Sequence, residues 1–136
     1  MNELEEGKEL RLDFQKLRKI AKTESNVVPV AVQNTDTREV ILIAYANEQA
    51  LNHAVQTRTA TFWSTSRNEL WIKGESSGET FELLVVYVNC EQNSLVYLVR
   101  PRRRSICHTK NQSGQPRNCY YRRLNLETGE LENLDP

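Results

Sequence analysis

The chain lacks net charge: its 136 residues hold 18 Lys and Arg against 18 Asp and Glu. That balance argues against a dedicated nucleic-acid binder, which is normally basic overall. No apolar run approaches the roughly 20 residues that a helix needs to cross a bilayer, so no membrane partner is expected. The stretch Met1–Lys8 is polar and acidic, without the apolar centre of a secretory signal; a cytoplasmic location is the default expectation. Cysteine is scarce, with only Cys90, Cys107 and Cys119. An odd number argues against a closed disulfide framework and fits a reducing compartment. No pair forms a C-x-x-C knuckle, so zinc-finger spacing is absent. There are no internal repeats, low-complexity tracts or linkers either. One domain over residues 1–136 is therefore expected, with 1–8 and 127–136 peripheral and 1–8 a frayed acidic leader.

What is present reads as short, regularly punctuated elements. Leu10, Phe14, Leu17 and Ala21 recur at helical spacing, which predicts a short amphipathic helix ending at Lys22. Val27–Val32 is β-branched, with Pro29 placing it at a strand start or sheet edge. Turn residues Asn34–Thr37 lead into Val40–Tyr45, a predicted buried strand. Asn47 suits the cap of a helix over 48–57, with Leu51, Ala54 and Val55 facing inward. Strand pairs follow around turns at Thr65–Glu69, Asn89–Ser94 and Glu127–Gly129. Residues 101–118, rich in Arg, Ser, Gly and Pro, form a long irregular loop, and such loops in small domains are more often functional than idle. The expected class is α+β, mostly antiparallel β: a twisted sheet or pseudo-barrel with one or two short helices.

Four groups of residues invite chemistry. Three thiolates are one ligand short of a closed tetrahedral zinc site; structural zinc usually takes four protein ligands, and catalytic zinc three plus water. Core packing is the competing reading, since free cysteine often behaves as a small buried hydrophobe, and Cys90 ends an apolar run. The block Trp63-Ser64-Thr65-Ser66-Arg67, with Leu70-Trp71-Ile72-Lys73-Gly74-Glu75-Ser76-Ser77-Gly78, combines glycines that admit close backbone approach with hydroxyls and cations that suit phosphate. Its aromatic faces suit a nucleobase. A plain hairpin with core tryptophans is the alternative. Arg100–Arg104 runs towards Cys107-His108, where a cationic loop would neutralise phosphates or simply be solvated. In Asn89-Cys90-Glu91-Gln92-Asn93, the oxygen-bearing residues at 89, 91 and 93 share one face if extended. Such oxygens suit magnesium, although a turn explains them equally well.

Taken together these segments resemble phosphoribosyl-AMP cyclohydrolase, the zinc enzyme of histidine biosynthesis, from about Leu12 to Arg122. The matching blocks are Val40–Leu51, the two tryptophan-containing segments, Cys107-His108-Thr109 and Cys119-Tyr120-Tyr121-Arg122. The resemblance implies zinc bound by Cys90, Cys107 and Cys119, with ligands contributed across a homodimer interface. It implies His108 next to the metal water, and a phosphorylated purine nucleotide held by Trp63, Ser64, Ser66, Arg67, Lys73, Gly74, Ser76, Ser77 and Gly78. Three thiolates would make the zinc a weak acid, so a proton carrier is required nearby; His108 is the first candidate and Glu75 the second, as in zinc nucleobase deaminases that shuttle protons through a glutamate. The chain departs from the family twice. An Asp-Cys-Asp-x-Asp pattern thought to bind magnesium is replaced by Asn89, Glu91 and Asn93, a degraded set with one charge. Residues 111–118 also contain an insertion of about five residues relative to the family pattern. A paralogous nucleotide or cyclic-amidine hydrolase, or a non-catalytic zinc- or nucleotide-binding module, are the alternatives these departures leave.

Overall fold

The computed structural model describes residues 2–23, 25–103 and 106–136; Arg104 of the basic run lies outside them. Its helices are α1 (Glu3–Glu6), α2 (Lys16–Lys22) and α3 (Glu48–Thr57), and its strands are β1 (Val28–Asn34), β2 (Val40–Ala46), β3 (Phe62–Ser64), β4 (Glu69–Trp71), β5 (Phe81–Val88), β6 (Leu95–Pro101), β7 (Arg122–Leu124) and β8 (Leu131–Asn133). Each odd-numbered strand pairs antiparallel with the next, as the turn residues predict. A parallel pairing of β1 with β6 then joins two hairpins into one sheet of order β2-β1-β6-β5. The α+β, mostly antiparallel expectation holds, and the sheet is open.

The inner face of that sheet carries the core. Val30, Val32, Tyr97 and Val99 are completely buried with Phe62 and Phe81. The Phe62 ring lies 5.5 Å from Trp71 and 5.7 Å from Tyr97, so the β3–β4 hairpin is fastened to the sheet by aromatic contacts. Burial pushes the Tyr97 phenol up to about 12; its hydroxyl donates to the Thr61 carbonyl at 3.4 Å. Helix α3 starts where expected. The Asn47 carboxamide accepts from the Ala50 N–H at 2.9 Å, satisfying an otherwise unpaired donor. Ala50 and Ala54 form its buried stripe, while Val55 is exposed, against expectation, because it flanks that stripe rather than belonging to it.

Several other expectations need correction. Pro29 is at a strand start but β1 is interior. The parallel pairing begins one residue later, at Val30 opposite Leu95, so the missing proline N–H leaves no gap on that side. β2 is buried on its inner side, through Ile41, Leu42, Ala44 and Ala46, but stands at the sheet edge with its other face open. Its register slips opposite Val32/Gln33, which lets the consecutive residues Ile41 and Leu42 both face inward while Ile43 is 56% exposed. Ile43, Ala31, Val96 and Tyr87 are successive cross-strand neighbours, giving the outer face a row of apolar side chains open to water. Cys90 follows β5 in an exposed turn and takes no part in the core. Helix α2 begins only at Lys16, because the Asp13 carboxylate accepts from the Gln15 N–H at 3.0 Å and sets its start. Of its neighbourhood only Ile20 is buried; Phe14 and Leu17 point into solvent.

Truncating Phe62 removes the ring that joins hairpin to sheet. Phe62→Ala should lower unfolding stability by about 3–5 kcal/mol, read from urea denaturation; a loss below about 1 kcal/mol would contradict this packing.

Candidate active site

The long loop that follows β6 is built by arginines. Arg100 pairs with Asp36 at 3.0 Å and lies 3.8 Å from Glu82. Arg102 donates to Thr59 Oγ1 (2.8 Å), Thr80 Oγ1 (3.0 Å) and the Arg58 carbonyl (3.0 Å). Both are therefore committed to holding the loop's entry. Arg103 donates to the Ser77 carbonyl at 3.0 Å and lies over Gly78, where a Cβ would stand 3.2 Å from its Cζ. Gly78 has φ of +77°, as does Gly74, whose missing Cβ would meet the Glu79 carbonyl oxygen at 2.2 Å. Only glycine suits either position.

Beyond Ile106, which packs on the core, the chain doubles back. The Cys107 N–H donates to the Arg117 carbonyl at 2.9 Å, and the Arg117 N–H to the Thr109 carbonyl at 3.3 Å. An isolated bridge between Lys110 and Pro116 closes the excursion. This irregular hairpin returns Cys119 to Cys107. Although Cys119 as a residue is exposed, burial of its thiol pushes the pKa up to about 11, with the adjoining Cys107 thiol adding to the rise and Lys73 opposing it. Cys107 is buried, with its sulfur 3.2 Å from Thr109 Oγ1. Two thiols and the ammonium of Lys73 thus share one locality. Cys90 does not join them within the chain. Among the described residues no group of three or more His, Cys, Asp and Glu is placed to hold a metal ion. The donor set on one chain is two soft sulfur ligands, half of a tetrahedral site.

The remaining expected residues divide into three places. Arg67, Gly74, Glu75 and Ser76 line one cavity of about 380 Å³ with Trp71 and Ile72. Ser64 supports it from the side, its hydroxyl accepting from the Arg67 Nε at 3.3 Å and lying 3.4 Å from Ser66 Oγ. Arg67 also lies 3.5 Å from Glu69. Trp63 is half-buried against the core, and the Ser77 hydroxyl donates to the Gly74 carbonyl at 3.3 Å. Asn89, Glu91 and Asn93 do gather, but around one another. The Asn89 amide donates to Asn93 Oδ1 at 2.6 Å, and the Asn93 amide to Glu91 Oε2 at 3.3 Å. Asn89 Oδ1 also accepts the Asn93 and Ser94 N–H groups at 2.9 and 3.0 Å, so these oxygens serve the turn.

His108 projects from the hairpin into solvent and meets a residue outside every motif: its Nε2 donates to Glu5 Oε1 at 2.7 Å. The expected frayed leader is instead the docked helix α1. Arg117, only 3% exposed, donates to the Glu6 carboxylate at 2.5 and 3.4 Å and to the Asp135 carbonyl at 2.8 Å, and its guanidinium stacks 4.4 Å over the Tyr121 ring. Tyr121 donates to the Glu5 carbonyl at 2.6 Å, and Arg122 to the Leu4 and Gly7 carbonyls at 2.9 and 3.0 Å. Glu5, Glu6 and Arg117 escaped the sequence reading. The signal was an acidic beginning matched by Arg117, Arg122 and Arg123 near the end.

The expected residues thus stand on an α+β scaffold in separate places, chiefly the cavity lined by Arg67, Glu75 and Ser76 and the hairpin that carries Cys107, His108 and Cys119. The sequence profile of the phosphoribosyl-AMP cyclohydrolase family matches residues 42–121. The phosphoribosyl-AMP cyclohydrolase of Archaeoglobus fulgidus is 41% identical over 101 residues, 74% of this chain and 88% of that protein; that of Nitrosopumilus maritimus is 42% identical over 98 residues, 72% and 83%. The histidine biosynthesis bifunctional protein of Thermus thermophilus is 44% identical over 101 residues, 74% of this chain and 44% of that longer protein. This chain belongs to the phosphoribosyl-AMP cyclohydrolase family, and is an enzyme of the hydrolase class. None of the helices in its described residues is long and apolar enough to cross a membrane.

Two measurements check this geometry. Mild oxidation of metal-stripped protein with diamide should link Cys107 to Cys119, seen as a joined peptide pair by mass spectrometry; absence of that pair would show that the thiols do not meet. The hydrogen bond from Arg117, reinforced by the charges of Arg117 and Arg122, holds the Glu6 carboxyl below its ordinary value of 4.5. A depressed carboxylate contributes stability above the unfolded pKa and loses it as pH falls through the lower folded value. Amide exchange over residues 2–8 should therefore accelerate, relative to the sheet, as the pH drops below 4.5.

Proposed function

We propose that the protein hydrolyses the purine ring of phosphoribosyl-AMP at the N1–C6 bond, as a step of histidine biosynthesis, with zinc held by Cys107 and Cys119 of one protomer and Cys90 of a second copy. In the reaction the oxygen of water bonds to C6 and the N1–C6 bond breaks. One proton goes to the exocyclic nitrogen and one to N1, leaving C6 as a carboxamide. What carries this reading is the hairpin that returns Cys119 to Cys107, closed by the Cys107 N–H to the Arg117 carbonyl and the Arg117 N–H to the Thr109 carbonyl.

The residues divide the labour. Arg67, Lys73 and the amides and hydroxyls of the Gly74–Gly78 loop bind the phosphorylated end of the substrate, where charge-assisted hydrogen bonds are strongest. Glu75, beside Arg67 and Ser76 in the same cavity, and His108 are the groups that hold and pass protons. The zinc, when bound, acidifies water from a pKa of about 15.7 towards about 7. Magnesium finds little support at Asn89, Glu91 and Asn93, whose oxygens already accept hydrogen bonds from amide N–H groups.

A second copy is invoked because the third thiol is displaced, not missing. Cys90 lies two residues beyond Val88, where β5 ends in Tyr87 and Val88, both more than half exposed, and Tyr87 continues the outward apolar row through Val96 and Ala31 to Ile43. Covering that row with an equivalent surface would remove it from water and bring Cys90 to an interface.

Metal analysis beside a ring-opening assay tests the assignment. Cys90→Ser and Cys107→Ser should each lose zinc and turnover when alone. Unfolded and refolded together, they should recover about a quarter of wild-type activity, because half the dimers are mixed and each mixed dimer keeps one intact site. Zinc content unchanged in Cys107→Ser would remove the thiol assignment; no recovery on mixing would remove the shared site.

A further inference from the structure

We propose that helix α1 is part of the active site and that Glu5 is a positioning residue for His108. The inference rests on the reading of His108 as a proton carrier and goes beyond it, because α1 lies well before residue 42, where the family match begins. It stands outside the segment that the family profile matches.

The argument starts from length. Four residues do not form a helix by their own propensity in water; Glu3–Glu6 is helical because it is held. What holds it comes from the segment just after the cysteine hairpin. Arg117 grips the Glu6 carboxylate, Tyr121 donates to the Glu5 carbonyl, and Arg122 donates to the Leu4 and Gly7 carbonyls. The Leu131 N–H donates to the Lys8 carbonyl at 2.7 Å, extending the attachment to β8. With its backbone tied at both ends, the helix sets the Glu5 carboxylate 2.7 Å from His108 Nε2.

That contact has one chemical consequence. A carboxylate only accepts hydrogen bonds, so it requires the imidazole proton on Nε2. In the neutral ring the lone pair then lies on Nδ1, which becomes the nitrogen able to take a proton. Carboxylate–imidazole pairs elsewhere select a tautomer and ring orientation in this way. Without Glu5 the ring, 79% exposed as a side chain, is free to rotate and to exchange tautomers. Because the pair is exposed, its loss should change stability little. The effect belongs in turnover rather than in folding.

The test compares Glu5→Ala and Glu5→Gln in the full-length zinc-loaded protein. Glu5→Ala should lower kcat about tenfold, with KM within about twofold of wild type. Glu5→Gln, whose amide can either accept from or donate to Nε2, no longer requires the proton there and should lose activity as well. The second readout is the nitrogen chemical shifts of the imidazoles at about pH 8.5, where the ordinary histidine is neutral; His53 is the only other histidine and serves as control. Wild type should show a single His108 tautomer protonated at Nε2, and both Glu5→Ala and Glu5→Gln an exchange average. Wild-type kcat in Glu5→Ala, or an unaltered His108 tautomer, would overturn the proposal. A wild-type protein inactive on phosphoribosyl-AMP would overturn the parent reading, and the catalytic role of Glu5 with it, and is recognised because it precedes any comparison of variants.

Discussion

A buried guanidinium organises the functional end of this molecule. Arginine stays protonated inside a protein, so a position as shielded as that of Arg117 is tenable only if its donors are matched. The match comes from both ends of the chain, the Glu6 carboxylate from the beginning and the Asp135 carbonyl from the end, with the Tyr121 ring beneath. The same residue's backbone brackets Cys107 and Thr109. One side chain therefore joins three stretches that the sheet leaves unconnected. The return of Cys119 to Cys107 and the docking of α1 both follow from that requirement.

Division of labour among the arginines follows from their partners. Arg100 and Arg102 are spent on Asp36, Glu82, Thr59, Thr80 and the Arg58 carbonyl, so they fix where the loop leaves β6. Arg103 leans on the Gly74–Gly78 loop and couples it to the cysteine hairpin four residues later. Among the described residues of a run that reads as one cationic patch, Arg100 and Arg102 fasten the structure and Arg103 stands at the loop. The glycines at 74 and 78 belong to the same construction, since both sit at positive φ against close neighbours.

The outer face of the sheet and the position of Cys90 are two views of one arrangement. A strand pattern with apolar residues on both faces ordinarily signals cover on both sides, and here only the inner face is covered within the chain. The turn at Asn89–Asn93 is a self-contained hydrogen-bonded unit at the end of the same strand.

Local elements were legible because their causes are local. Asn47 announces α3 through its cap, the turn residues announce the four hairpins, and alternation marks the buried rows Val30–Val32 and Leu95–Val99. The chemistry-bearing types were legible too: thiols, histidine and a glycine-bounded cationic loop. Linear order left open how those pieces meet, because each meeting depends on long-range partners. The parallel pairing of β1 with β6 decided that β1 is interior and β2 an edge. Burial of Arg117 decided that an acidic leader is a docked helix, and the hairpin around it decided which thiols converge. Composition and spacing determined what groups this chain can bring to a reaction; only tertiary structure decided which stand together, since desolvation and charge pairing act between residues a hundred positions apart as strongly as between neighbours.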